Sequence, residues 1–322
     1  MKMSMAMVGG VFALGGLLIA GCAKHQDGPI GGSSTNADQI MQIQAQALAD
    51  PFVQSDQATF SDQSVQPTDY GTLGKVDAAI TPLRWGRFIT GVTRTVTTTI
   101  LPGDTMATAR IEKTITGVFK IKGIDGGVDT LISKPFTDKA VRNLLLRKVH
   151  FKDTTGWRPV ATSLVAGATD PPPANNRIAI TQVQIFSPAD TVTITDPTTT
   201  YLRYHWLPFH EGEWGECPDL TGGDKVIVQA TVVSASSDTD IVSLRYGFSP
   251  WALAIGRRQH MTLISQTSNS DGTFTRVYQA TWYSHFFTGF FNAGVDAVTR
   301  GTLYDDSLPY SASWWGVPYR VY

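Results

Sequence analysis

The densest group of side chains that could bind a metal lies in residues 205–217, which read HWLPFHEGEWGEC. His205, His210 and Glu211 carry imidazole and carboxylate groups, which are competent zinc ligands. His210 and Glu211 also begin the HExxH pattern of zinc proteases, but Trp214 occupies the position of the second histidine. Because the spacing matches no established ligand pattern, we interpret the segment as a linker with packed aromatic side chains. A zinc site is the alternative.

A second candidate metal site is the turn that contains Asp238 and Asp240. Two carboxylates at alternating positions of an extended turn suit Ca²⁺, which takes oxygen ligands. Two carboxylates are too few for the usual six to eight ligands. We therefore expect an ordinary hairpin turn, with a calcium site as the weaker interpretation.

Motifs for nucleophilic or nucleotide-dependent catalysis are missing from the sequence. It contains no Gly-x-Ser-x-Gly elbow, no Walker-type phosphate loop and no dinucleotide fingerprint. Carboxylates such as Asp296, Asp305 and Asp306 could form an acid–base pair, but turns and helix caps explain most of them. We predict a protein that is not an enzyme and that needs no cofactor and no metal.

Aromatic residues near the C-terminus could stack on sugar rings. The candidates are Trp282, Trp314, Trp315 and Tyr319. Because side chains alternate along a strand, Trp314 and Trp315 should point to opposite faces, one of them buried and the other partly exposed or against a neighbouring domain. Pro318 cannot donate to a ladder, so this strand should lie at a sheet edge or a bulge. The alternative is that all these rings pack in cores.

The N-terminus carries a targeting signal. Lys2 is the only charge in residues 1–21, and a short apolar stretch follows it. The segment Ile19-Ala20-Gly21-Cys22 resembles the lipobox of bacterial lipoproteins. This resemblance implies removal of residues 1–21 as a signal peptide and attachment of a diacylglyceryl group to the Cys22 sulfur. It also implies a membrane anchor, and Ala23 after the cysteine favours the outer membrane.

The next part of the mature chain should hold the folded domains away from the membrane. Residues 22–80 begin with a polar, Gly- and Ser-rich tether. Asn36 can cap a helix over residues 37–50, which Pro51 should end, and residues 51–80 read as an irregular connection. The formal net charge of −1, with no basic block, argues against a nucleic-acid partner.

From residue 81 onward, the sequence predicts an all-β fold of two sandwich-like domains. Abundant threonine and period-two alternation indicate strands in residues 81–206, although residues 138–151 suit a helix equally well. A linker at 207–223 should join this domain to a second one at 224–322. The second domain resembles bacterial immunoglobulin-like and fibronectin-type-III-like modules in length and strand spacing, which describes its architecture only.

These features predict a lipid-anchored protein of the cell envelope or surface that acts by binding or as a structural component. One alternative is a carbohydrate-binding or carbohydrate-processing surface lipoprotein. Another is an assembly scaffold for envelope proteins, with strand edges or the 37–50 helix as the contact surface. Exposed coplanar aromatics would favour the sugar ligand. An unprotected edge strand would favour a protein partner.

Overall fold

The computed structural model describes residues 35–60, 80–151, 154–203, 215–216, 218–248 and 257–322. The predicted all-β fold class is confirmed, since most of these residues lie in two sheets. Residues 36–322 form one compact unit. Within the described ranges, no helix is both long and apolar enough to cross a membrane.

The strands are numbered in chain order. They are β1 (Ile80–Ile100), β2 (Met106–Asp125), β3 (Val128–Phe151), β4 (Thr154–Thr169), β5 (Ile178–Phe186), β6 (Thr191–Ile194), β7 (Thr200–Arg203), β8 (Gly215–Glu216), β9 (Asp219–Leu220), β10 (Lys225–Ser234), β11 (Ile241–Phe248), β12 (Arg257–His260), β13 (Thr262–Ser268), β14 (Phe274–Tyr283), β15 (Gly289–Val298) and β16 (Ala312–Val321).

The helices are α1 (Asn36–Ala49), α2 (Pro51–Phe60) and α3 (Arg300–Tyr304). The helix predicted after Asn36 is α1, but Pro51 begins a further helix. The Asp50 carboxylate accepts hydrogen bonds from the backbone N–H groups of Phe52 (3.0 Å) and Val53 (3.2 Å), so Asp50 caps α2. Proline is well suited to the first helical position, which explains why residues 51–60 are helical rather than irregular.

The first sheet begins with a meander of four long antiparallel strands and has the order β1-β2-β3-β4-β16-β15-β11-β12. Gly126 and Gly127, with φ angles of +54° and +87°, form the tight turn between β2 and β3. The sequence Asp125-Gly126-Gly127 is typical of a hairpin turn, since a left-handed conformation at both positions suits glycine. Residues 138–151, which suited helix and strand equally, belong to β3.

The second sheet has the order β13-β14-β10-β5-β6 and packs on β4, β16, β15 and β11. Strand β5 pairs with β10, and β4 pairs with β16. Segments from both sides of residues 207–223 therefore share each sheet, and the boundary predicted there does not divide the sheets. The reason is that strands from the two sides satisfy each other's backbone groups: β10 takes β5 as a neighbour, and β16 takes β4.

Helices α1 and α2 fill one end of the concave face of the first sheet. Ile43, Ala47 and Val53 pack there with Ile111 and Leu144. Residues on β2 alternate between this covered face and an outer face that is more exposed, as a half-buried antiparallel strand requires.

A buried ion triad joins α2 to the middle of the same face. The Asp56 carboxylate lies 2.7 Å from an Arg142 guanidinium nitrogen and 3.0 Å from Lys113 Nζ. Lys113 also donates to the Val53 carbonyl, and Arg142 donates to the Ser163 carbonyl. Although burial acts to raise the pKa of Asp56, the two cations hold it below its usual value. The triad thus fixes α2 against β2 and β3.

We expect Asp56→Ala to destabilise the protein severely, by about 3–5 kcal/mol, because it leaves two buried cations without their shared anion. Chemical denaturation would measure the change in the free energy of unfolding. The matched control is Asp129→Ala, since Asp129 is exposed on β3. A similar small loss in both variants would contradict a role for the triad in holding α2.

Candidate functional site

The consecutive tryptophans of β16 are both buried. Trp314 is 1% exposed and packs within the curled first sheet, whereas Trp315 is 6% exposed and packs between the two sheets. The prediction that they point to opposite faces is confirmed. For the second ring, the sequence left exposure or packing against a neighbouring domain open, and exposure is excluded, because β16 is an interior strand with β4 on one side and β15 on the other.

Pro318 also lies inside the sheet rather than at its edge. It stands opposite Asn292 of β15. On the other side of β16, the pairing with β4 ends at Gly316 and the pairing with β9 begins at Arg320. The proline thus occupies a gap between two neighbouring strands, where a missing N–H interrupts no ladder.

The other two candidate stacking residues belong to the core between the sheets. Trp282 stacks on Tyr246 with a centroid distance of 5.0 Å and meets Tyr319 edge-on at 5.1 Å. The Tyr319 hydroxyl oxygen accepts a hydrogen bond of 3.2 Å from the Gly247 N–H. Since Trp282 and Tyr319 are 4% and 1% exposed, neither offers a ring face to a sugar.

The candidate metal ligands do not form a common site in the described residues. Cys22, His205, His210 and Glu211 lie outside the described ranges. Asp238 is exposed, whereas the buried carboxylate of Asp240 binds Arg276 (2.7 Å) and Ser234 (2.9 Å). The calcium interpretation is corrected accordingly, because the Asp240 oxygens are already used. No group of three metal-ligating side chains occurs within the described ranges.

A polar network that joins β1, β3 and β15 inside the curled sheet was not predicted from the sequence. Arg87 of β1 binds Asp296 of β15 through two bonds of 2.7 and 2.9 Å. Its Nε donates to the Tyr310 hydroxyl oxygen (2.7 Å), and that hydroxyl donates to Asp138 (3.1 Å). Arg258 adds a further bond of 3.0 Å to Asp296.

Burial and charge act differently on the two carboxyl groups of this network. Burial raises the pKa of Asp138 to about 6, although Arg87 and the Tyr310 hydroxyl favour its ionised form. For Asp296, burial also acts to raise the pKa, but the direct contact with Arg87 holds it below its usual value. Through these bonds, Arg87 connects β1 to β15 directly and to Asp138 of β3 by way of the Tyr310 hydroxyl. The network therefore holds distant strands of the curled sheet together around their core.

We expect Asp138→Asn to change the pH dependence of stability. Because the pKa of Asp138 is raised in the folded state, the folded protein binds this proton more tightly than the unfolded chain does. Stability should therefore fall as pH rises from about 4 to about 6, by on the order of 2–3 kcal/mol from this group.

The Asn variant should show a shallower fall, measured as the free energy of unfolding at pH 4, 5, 6 and 7. Burial also raises the pKa of Asp240 to about 6, so both proteins should still lose some stability as pH rises over this range. The exposed Asp129→Asn serves as the control. Identical slopes in Asp138→Asn and the control would contradict the assignment.

A candidate for binding is the edge of β1 that faces away from β2. This 21-residue strand pairs with β2, and no other described strand pairs with its opposite edge. Pro82 and register shifts near residues 82–84 and 89–91 interrupt the first half. Residues 92–100 contain no proline and no register shift, so this stretch can accept another strand.

The direction of the backbone groups in this stretch follows from one side-chain bond. The Gln44 amide of α1 donates to the Val96 carbonyl at 3.3 Å. This contact indicates that the Val96 main-chain groups point away from β2. Alternate residues of an antiparallel strand point to the same side, so Thr98 should also direct its N–H and carbonyl outward.

Comparison of the chain with protein-family models, with curated proteins and with solved structures found no match.

The sequence signal for this edge is the threonine-rich run at residues 93–99, which predicts a strand. It does not predict an edge position, because the run reads the same in an interior strand. The order of strands supplies that information.

Proposed function

We propose that the protein is a lipid-anchored component of the cell envelope that binds an extended segment of another envelope protein along residues 92–100 of β1. The observation that carries this proposal is the regular, threonine-rich free edge of that strand. Strand addition takes its affinity from main-chain hydrogen bonds and its specificity from alternate side chains. No catalytic step is part of this function.

The edge favours one added strand over a second copy of the chain. Two-fold antiparallel pairing of two copies around Val96 would bring both α1 helices, each bound there through Gln44, to the same short stretch. A single extended segment meets only one α1 helix and has to displace only the Gln44 side chain from the Val96 carbonyl. The exposed Thr93, Thr95, Thr97 and Thr99 would face the outer side of the enlarged sheet.

The sugar-binding alternative has less support. Trp282, Trp314, Trp315 and Tyr319 are buried, so stacking on a sugar would require the core to open. The assembly-scaffold alternative is consistent with strand addition, because a scaffold also binds other envelope proteins through its edges.

The anchor in this proposal is Cys22, and the supporting observation is the Ile19-Ala20-Gly21-Cys22 sequence after an apolar segment. Several acyl chains on one residue give stable attachment where a single chain is marginal. By the same resemblance, Ala23 favours the outer membrane as the location of the anchor in this proposal.

Cys22→Ser should abolish labelling of the protein by a fatty-acid analogue and move it from the membrane to the soluble fraction of fractionated cells. The variant removes the only sulfur to which the diacylglyceryl group could attach at this position. Cys217→Ser is the matched control and should label normally. Equal labelling of Cys22→Ser and wild-type protein would overturn the anchor.

Thr98→Pro should weaken the partner complex about tenfold, since it removes one outward N–H and crowds the edge. The Thr98 hydroxyl has no hydrogen-bond partner in the described part of the chain, so its loss breaks no bond there. Thr98→Ser keeps the N–H and is the matched control. The melting temperature of both variants should remain close to that of the wild type.

The complex would be measured in cells with a photo-crosslinking amino acid at residue 99, followed by identification of the adduct by mass spectrometry. The expected result is an adduct with a different protein in Thr98→Ser and its loss in Thr98→Pro. An adduct between two copies, or one that Thr98→Pro leaves unchanged, would overturn binding of another protein at this edge.

A further inference from the structure

The loop between β14 and β15 exposes a group of aromatic side chains. Phe286 and Phe287 are 83% and 79% exposed, and Tyr283 before them is 64% exposed. These are among the most exposed large apolar side chains of the described residues. Two adjacent phenylalanines in water are unfavourable unless another surface covers them.

Hydrogen bonds hold this loop in place. The Ser284 N–H donates to the Asp224 carbonyl (2.9 Å), and the Asp224 N–H donates to the Ser284 hydroxyl (2.9 Å). The Gly223 N–H donates to the Ser284 carbonyl at 3.3 Å. His285 turns inward, with its ring 5.0 Å from that of Phe291. The loop therefore presents Phe286 and Phe287 outward on a fixed base.

The register of the first sheet shows which end of the molecule carries this loop. Gly316 of β16 stands opposite Val165 of β4, and the two strands run antiparallel. The C-terminal part of β16 therefore points toward the start of β4. Val321, near the end of β16, stands opposite Gly289, where β15 begins after the loop. The aromatic loop thus lies at the end of the sheet where β4 starts.

The first turn of α1 lies at that same end. Trp157, near the start of β4, stands opposite Lys148 of β3. The Lys148 ammonium donates to the Gln39 side chain in the first turns of α1 at 3.3 Å. The chain that precedes α1 therefore enters the compact unit at the end that carries the aromatic loop.

Basic residues lie beside the exposed rings. Lys225 is exposed and stands directly opposite Tyr283 in the β10–β14 ladder. Arg257 is exposed at the start of β12, and its charge helps to lower the pKa of His285, an effect that burial dominates. Two carboxylates also lie nearby: Asp219 pairs with Arg320 and accepts from the Tyr322 hydroxyl, whereas Asp224 accepts from the Thr221 N–H and keeps its charge.

We propose that Phe286 and Phe287, with Tyr283, insert into the interface of the lipid membrane that carries the anchor. This inference rests on the proposed anchor at Cys22. Asn36 follows Cys22 by 14 residues, which can span at most about 50 Å when fully extended. Aromatic side chains beside lysine and arginine suit the boundary between lipid headgroups and acyl chains. The loop would orient the protein, and the acyl chains would hold it.

The test uses the full protein as cells produce it, reconstituted in vesicles of phosphatidylethanolamine and phosphatidylglycerol that contain a brominated phospholipid. Phe287→Trp adds a tryptophan at the loop, and Val128→Trp adds one at the opposite end of the sheet. Val128 is a fair control because it is 65% exposed and apolar. The fluorescence of each variant is compared with that of the wild type in the same vesicles, which isolates the added tryptophan.

Bromine should quench the tryptophan added by Phe287→Trp at least about twofold more than the one added by Val128→Trp. Equal or absent quenching of the two would overturn the membrane contact, including the case in which a protein covers the loop. Fatty-acid labelling of the same two samples tests the anchor separately. If the protein carries the fatty-acid label but bromine does not quench the loop tryptophan more strongly, only the loop contact is rejected. If the loop tryptophan is quenched more strongly but the protein carries no label, only lipidation of Cys22 is rejected.

Discussion

The curl of the first sheet is the constraint on which the rest of the structure depends, and the contact between Arg87 and Asp296 spans that curl. β1 and β15 are separated by four strands in the sheet order, yet these two side chains form a bidentate ion pair of 2.7 and 2.9 Å. They can meet only if the sheet curls around its own concave face. Asp296 is 1% exposed, so the pair must be fully satisfied by hydrogen bonds to be tolerated there.

Curling explains why the C-terminal segment is so rich in aromatic residues. β16 runs through the first sheet with one face toward the concave core and the other toward the second sheet, so both its faces are covered. Trp314 lies flat against Gly167 of β4, where a Cβ atom would overlap its ring. The Trp314 ring occupies the space that a side chain at position 167 would otherwise fill, so a large residue on β16 is matched by a glycine on β4.

The curled sheet also keeps apart the two surfaces that we propose for binding, the edge of β1 and the aromatic loop between β14 and β15. In the described part of the chain, the interior is occupied by cores and by buried ion networks around Asp56, Asp240 and Asp296, so the surfaces available for binding are strand edges and loops. One edge of the first sheet is β1, and the aromatic loop lies at the end where the chain enters the fold. In the proposed arrangement, the loop contacts the membrane and the edge of β1 binds the extended segment.

The sequence by itself determined the features that depend on neighbours in the chain. Period-two alternation gave the all-β class, Gly126 and Gly127 gave a hairpin turn, and Asn36 marked the start of α1. The opposite orientation of Trp314 and Trp315 also followed from alternation.

Tertiary structure decided what depends on distant neighbours. Lys113 and Arg142 look like ordinary polar residues of strands, and only the return of Asp56 from α2 allows them to be buried. The threonine run of β1 and the apolar run of β16 both predict strands, but only the strand order makes one an edge and the other an interior strand. The physical reason is that main-chain pairing and charge burial are satisfied by residues far apart in sequence, which no local pattern specifies.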